Sequence, residues 1–147
     1  MSDEVLYFQE FSIIGKDFSS AGSVSTEIKS ILKEIGFDPS IVRRAAIASY
    51  EAEMNVVMYA IRAVVRLSAT PGTIEIEFED EGQGIEDIEK AMEEGYSTAT
   101  PEMREMGFGA GMGLPNIKKN SDDLRIDSEV GRGTKLGILI RTNQADG

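Results

Sequence analysis

The segment EDEGQGI, Glu79–Ile85, places an acidic residue before two closely spaced glycines at the end of a β-type run. That run, Thr73–Glu79, alternates β-branched or aromatic residues with acidic ones, which predicts a strand. Gly82 and Gly84 would let the backbone turn sharply and approach a flat ligand, and the Asp80 carboxylate can accept a hydrogen bond from an exocyclic amine such as that of adenine. Taken alone, these residues fit an ordinary turn between a strand and a helix equally well.

Upstream of this segment lies a long helical pattern. Asp38 and Pro39 predict its N-cap and first turn, and the pattern continues to about Ile61. Glu51 and Asn55 are four residues apart within it and therefore share one face. The amide oxygen suits a hard cation such as magnesium, and the carboxylate can take a proton from a nucleophile. A solvated polar stripe is the commoner explanation for such a pair taken alone.

Downstream lies GFGAGMGLPNI, Gly107–Ile117, in which glycines alternate before a predicted helix from Leu114 to about Asn120. Successive backbone N–H groups leading into a helix N-terminus form an anion site suited to a triphosphate. No Gly-Lys-Ser/Thr follows, so the segment is not a Walker loop, and no strand immediately precedes it, so it is not a Rossmann fingerprint. A merely flexible loop is the alternative.

The remaining patterns complete the predicted architecture. A first helix runs from Val24 to Ile35 and stops at Gly36. The other predicted elements are strands at Val5–Ile14, Val64–Ser68, Leu124–Ser128 and Thr134–Arg141 and a short helix at Ile85–Glu94. We expect one domain over residues 1–147, an α/β (α+β) two-layer sandwich with a mostly antiparallel mixed sheet and helices on one face.

The amino-acid composition excludes several kinds of functional site. The chain has 147 residues, 41% of them hydrophobic and 28% charged, and neither an apolar run of membrane-spanning length nor a secretory signal, so we expect a cytoplasmic protein. Cysteine and histidine are absent, which removes thiolate metal sites, disulfides, the usual general base and any phosphohistidine on this chain. The net charge of -11 argues against nucleic-acid binding.

The order of these motifs resembles the GHKL superfamily, the histidine-kinase-like ATPases with the Bergerat ATP-binding fold, across nearly the whole chain. The boxes are Glu51-x-x-x-Asn55, Asp80-x-Gly82-x-Gly84, the glycine-rich lid that ends at Gly113, and Gly133-Thr134. Within the superfamily, the sequence from Glu79 to Thr98 resembles switch kinases of stress-signalling modules. The segment Thr100–Arg104 resembles the lid of anti-sigma-factor serine kinases.

The resemblance implies a role for each matching residue. Glu51 would be the general base that activates a substrate serine, and Asn55 would hold magnesium. Asp80 would bind adenine with the support of Thr134, and the lid glycines would hold the phosphates. The implied nucleotide-binding set is Asn55, Asp80, Gly82, Gly84, Ile85, Gly109, Gly111, Gly113, Leu114 and Thr134.

The resemblance also implies a function and partners. The protein would use ATP and Mg²⁺ to phosphorylate a serine on a small antagonist of the STAS type. It would be a kinase and anti-sigma factor, and its further implied partners are a sigma factor and a second copy of itself, bound through the first helix. A nucleotide-dependent binding module that sequesters a regulator without phosphotransfer is the alternative. A histidine-kinase fragment is disfavoured, because the chain has no histidine to accept a phosphoryl group. Asn120 and Ser121 depart from the family pattern, since these kinases usually have apolar residues there.

Overall fold

The computed structural model describes residues 4–85, 88–93 and 113–142. Each predicted strand and helix has a counterpart in these ranges, but some bounds differ. The structure describes the predicted helix Ile85–Glu94 as helical over Ile88–Ala91, and the strand predicted at Val64–Ser68 extends over Ala60–Ala69. The strands are β1 Tyr7–Ile14, β2 Ala60–Ala69, β3 Thr73–Gly82, β4 Asp123–Glu129 and β5 Gly133–Arg141. The helices are α1 Ser23–Ile35, α2 Pro39–Tyr59, α3 Ile88–Ala91 and α4 Gly113–Lys119, with a 3-10 turn at Phe18–Ser20. No helix within the described ranges is long and apolar enough to span a membrane.

The five strands form one sheet in the order β1-β2-β3-β5-β4. Every neighbouring pair in that order is antiparallel. The predicted α+β architecture is therefore confirmed, and the described part of the sheet is antiparallel throughout. β3 lies at its centre, where Phe78 pairs with Val65 of β2 on one side and with Leu136 of β5 on the other.

The core lies between one face of the sheet and the helices. Along β3, Ile74, Ile76 and Phe78 are buried, whereas Glu75 and Glu79 are exposed on the opposite face. This period of two is what a sheet with one covered face requires. α2 contacts α1, α4 and the sheet, so it is the central helix of the covering layer.

The start and end of α2 differ in detail from the prediction. Asp38 occupies the N-cap position and Pro39 the first turn, as predicted, but the Asp38 side chain makes no capping hydrogen bond. The helix ends at Tyr59 rather than near Ile61, because β2 begins at Ala60. The apolar run therefore continues directly from helix into strand, which helical periodicity alone does not reveal.

The N-terminus of α1 is closed by Glu53 of α2. The N-cap residue, Gly22, has a left-handed backbone and provides no side-chain cap. Instead the Glu53 carboxylate accepts hydrogen bonds from the backbone N–H groups of Gly22 at 3.0 Å, Val24 at 3.2 Å and Ser25 at 2.8 Å. A negative charge at a helix N-terminus is favourable, and these bonds satisfy groups that would otherwise be unpaired. Sequence reasoning assigned no role to Glu53.

Candidate functional site

The pair Glu51 and Asn55 lies on the one partly open stripe of an otherwise covered helix segment. From Glu51 to Tyr59, the positions 51, 55 and 59 are half-buried and the others are buried. A polar pair on a solvated face would be exposed, so that explanation does not fit this burial pattern. The stripe places a carboxylate and an amide side by side, each on a partly exposed residue.

α4 packs along this stripe and contacts both residues. The Asn116 side-chain amide donates a hydrogen bond to Oε2 of Glu51 at 3.1 Å. One turn earlier, Gly113 lies so close to Asn55 that a Cβ added to the glycine would be 3.2 Å from Oδ1 of Asn55. The structure therefore brings together Glu51, Asn55 and Gly113 as the motif order implied, and it adds Asn116, which sequence reasoning missed.

Leu114 occupies a different environment. It is 9% exposed and belongs to the hydrophobic core, together with Ile117 of the same helix. Its side chain anchors α4 to the core, so only its backbone is available to a nucleotide.

The second half of the site is built by Asp80 and the start of β5. Oδ1 of the half-buried Asp80 accepts a hydrogen bond from the backbone N–H of Thr134 at 3.0 Å. Gly133 is required beside it, since an added Cβ would lie 2.1 Å from the Asp80 carbonyl oxygen. Burial raises the pKa of Asp80, and the Thr134 hydrogen bond partly opposes that shift. The carboxyl group can accept a hydrogen bond from a ligand amine.

Ser128 connects the hydrogen-bonded pair of Asp80 and Thr134 to the loop that follows β3. Its hydroxyl accepts a hydrogen bond from the backbone N–H of Ile85 at 2.8 Å and lies 2.8 Å from Oγ1 of Thr134. Ile85 and Thr134, both members of the predicted set, are therefore joined through one side chain that sequence reasoning missed. The register of the β4–β5 hairpin, which pairs Ser128 with Thr134, is the signal that could have identified it.

The glycines after Asp80 allow close contacts within the protein itself. Gly84 has a φ of +77°, and an added Cβ would lie 2.5 Å from the carbonyl oxygen of Glu129. An added Cβ on Gly82 would lie 3.0 Å from Cα of Ala60, the residue that follows α2. These contacts hold the loop after Asp80 against the β4–β5 turn and against the end of α2. The Asp80 half of the site therefore packs against the helix that carries Glu51 and Asn55.

Part of the predicted site lies outside the described ranges. Gly109, Gly111 and the lid segment Thr100–Arg104 belong to that part, so Gly113 alone represents the lid glycines here. Within the described ranges, no group of three or more acidic side chains could hold a metal ion. Asn55, the side chain that the resemblance assigned to magnesium, lies within the described ranges.

The fold and these motifs define a histidine kinase-like ATPase domain. The family described as "Histidine kinase-like ATPase domain" matches residues 17–139, and the chain belongs to this family. The predicted resemblance to the GHKL superfamily is thereby confirmed, and membership implies ATP binding.

The chain is also similar to individual members of this family whose names describe a function. The chain is 31% identical over 115 residues to the serine/threonine-protein kinase RsbT of Bacillus subtilis (strain 168), covering 76% of this chain and 80% of that protein. It is 35% identical over 121 residues to an anti-sigma F factor of Clostridium acetobutylicum, covering 80% of this chain and 77% of that protein. These relatives support a kinase-like anti-sigma regulator.

A solved structure agrees on the fold. The crystal structure of the RsbU and RsbW domains of a Mycobacterium tuberculosis protein matches with a TM-score of 0.60 and 18% identity. The match covers 90% of this chain and 32% of that chain. At this identity the likeness shows the fold alone.

Proposed function

We propose that this protein is an ATP-dependent serine/threonine-protein kinase and anti-sigma regulatory factor that phosphorylates a serine on a small antagonist of the STAS type. The observation that carries the proposal is the position of Glu51. Its carboxylate is half-buried on the same stripe of α2 as Asn55, and one of its oxygens is held by Asn116. A carboxylate fixed beside a phosphate-binding segment is what a protein kinase needs to accept the proton of a hydroxyl nucleophile.

The nucleotide would occupy both halves of the site. Asp80 would accept a hydrogen bond from the adenine amino group, and Thr134 and Ser128 would keep its carboxyl group in position. The lid glycines Gly109, Gly111 and Gly113 would hold the phosphates through backbone N–H groups.

Magnesium fits the amide oxygen of Asn55. Oxygen donors suit this ion, and magnesium is commonly held by one or two protein groups together with substrate phosphates. Gly113 packs against the Asn55 amide, and a Cβ there would crowd Oδ1 at 3.2 Å, so a glycine keeps a side chain away from the proposed magnesium ligand. When bound, the ion would neutralise charge that develops on the phosphates.

The transfer step then follows from these positions. The serine Oγ of the partner forms a bond to the γ-phosphorus, the bond between that phosphorus and the bridging oxygen breaks, and ADP leaves. The hydroxyl proton goes to the carboxylate of Glu51. Positioning and electrostatic stabilisation do most of the work in such transfers, so the absence of histidine is no obstacle.

A second candidate function is a nucleotide-dependent module that sequesters a sigma factor without phosphotransfer. Relatives named anti-sigma F factors are compatible with it, because that name describes action against a sigma factor. The two functions differ in whether the Glu51 carboxylate is needed.

The test is single-turnover transfer from labelled Mg-ATP to the STAS-type proteins encoded beside the gene. Glu51→Gln should slow transfer by roughly 10²–10⁴-fold while ATP affinity changes little, because the amide keeps the shape but cannot take the proton. Asn55→Ala should impair both ATP binding and transfer. Glu34→Gln, at an exposed position of α1, is the matched control and should behave as wild type. Equal transfer rates for wild type and Glu51→Gln would remove Glu51 from the mechanism, and no transfer by the wild type would favour the binding module.

A further inference from the structure

We propose that Asn116 is a positioning residue for Glu51, and that through it α4 orients the general base. This inference rests on the proposed kinase function. The contact itself is direct: the Asn116 amide donates to Oε2 of Glu51 at 3.1 Å, across 65 positions of sequence. Both side chains are half-buried, so water competes less for this bond than on an open surface.

The hydrogen bond restricts a flexible side chain. A glutamate has three rotatable side-chain bonds, and a base that samples many rotamers spends little time aligned with its nucleophile. Fixing Oε2 leaves Oε1 at a defined place relative to α2. The bond to an ionised carboxylate is also charge-assisted, which makes it stronger than a bond between neutral groups.

The helix that carries Asn116 is itself well anchored. Leu114 and Ile117, on either side of it, are buried in the core. At the end of the helix, Asn120 donates to the backbone carbonyl of Asn116 at 2.9 Å, and Ser121 donates to that of Ile117 at 2.6 Å. The polar Asn120–Ser121 segment, which departs from the family pattern, therefore supports the backbone that presents the Asn116 amide.

The same helix contacts both functional positions of α2. Gly113 lies against Asn55, and Asn116, one turn further on, lies against Glu51. A single rigid turn of helix thus fixes the position of the Glu51 carboxylate relative to Asn55, the proposed magnesium ligand. Loss of the Asn116 amide should disturb the base while the nucleotide side of the site stays intact.

The test measures single-turnover transfer at saturating Mg-ATP for Asn116→Asp and Asn116→Ala, each in the wild-type and in the Glu51→Gln background. Asn116→Asp keeps the shape of the side chain but replaces the donor with a second carboxylate. We expect each single variant to slow transfer by roughly 10–100-fold, because a small misplacement of a reacting group costs up to about 10²-fold. ATP affinity should change by less than about threefold.

The double variants separate a positioning role from a structural one. If Asn116 acts through the Glu51 carboxylate, its substitution should change the residual rate of Glu51→Gln by less than about twofold, because interacting residues are not additive. An equal loss in both backgrounds would overturn the inference. Lys118→Ala, at an exposed position of the same helix, is the control and should transfer as wild type. Should Asn116→Ala fail to fold, the isosteric aspartate variant decides.

The outcomes also distinguish this inference from the proposed function. Transfer by the wild type together with a normal rate for Asn116→Asp would overturn the positioning role alone. No transfer by the wild type to any candidate partner would overturn both.

Discussion

Replacing Glu53 with glutamine should destabilise the fold markedly, although the change removes only a charge and one acceptor. Glu53 is 1% exposed, and its two carboxylate oxygens accept three backbone hydrogen bonds from the start of α1. In its better orientation, the glutamine oxygen takes the place of Oε2 and keeps the bonds from Gly22 and Val24. Its NH₂ group then faces the N–H of Ser25, so two donors meet without an acceptor.

The magnitude follows from that count. Losing one charge-assisted hydrogen bond costs about 1.5–3 kcal/mol, and the two remaining bonds become weaker neutral ones. The favourable interaction of the charge with the N-terminus of α1 is also lost. We therefore expect Glu53→Gln to lower the free energy of unfolding by about 2–4 kcal/mol. For a chain of this size, that corresponds to a fall in Tm of roughly 5–12 °C.

Urea unfolding followed by circular dichroism measures this loss, with the m-value expected to stay constant. Glu34→Gln is the matched control, since Glu34 is an exposed glutamate on α1, and its effect should stay within about 0.5 kcal/mol. Glu53→Ala should cost more than the glutamine variant, because all three N–H groups then lack their acceptor. An unfolding free energy for Glu53→Gln within about 0.5 kcal/mol of wild type would refute this account of how α1 is capped.

Two further predictions concern Asp80 and the loop after it. Because burial raises the pKa of Asp80 in the folded state, ionisation of this carboxyl group lowers the stability of the fold. This loss of stability develops as the pH rises above the unfolded-state pKa, and it is absent at lower pH. Without ligand, Asp80→Asn should therefore be at least as stable as wild type at pH 7 and should lose that advantage in acid. Mg-ATP should raise the Tm of wild type much more than that of the variant. Equal ligand-induced shifts in Tm would contradict the assignment of Asp80 to adenine. Gly84→Ala should lower the free energy of unfolding by about 1–3 kcal/mol, since the residue has a φ of +77° and its Cβ would lie 2.5 Å from the Glu129 carbonyl oxygen. Gly72→Ala, where a Cβ meets nothing within 4 Å, is the control, and equal urea midpoints for the two variants would count against the strain at Gly84.

For the candidate site, local residue patterns were sufficient to identify the protein family. The spacing of Glu51 and Asn55, the glycines after Asp80 and the Gly133-Thr134 pair are local features, and their order along the chain identified the family that the comparison confirmed. Gly133 shows the limit of such reasoning. Its position was predicted, but the reason for a glycine there, close contact with the Asp80 carbonyl, appears only once β5 lies beside β3.

By itself, the sequence determined the order of the helices and strands and the fold class, although not every boundary between them. Alternation with a period of two along Thr73–Glu79 and helical spacing from Val24 to Ile35 are set by the geometry of each element, so they can be read without knowing its neighbours. The cap residue Gly36 likewise marked the end of α1 correctly, because a left-handed C-terminal position favours glycine.

Only the tertiary structure decided which distant side chains meet. Glu53 caps a helix that begins about 30 positions earlier in the chain, Asn116 reaches Glu51 across 65 positions, and Ser128 reaches Ile85 across 43. These contacts depend on the packing of α1 and of α4 on α2 and on the register of the β4–β5 hairpin. A hydrogen bond between distant residues leaves no periodic trace in the sequence, because it requires only two compatible side chains that the completed fold brings within about 3 Å.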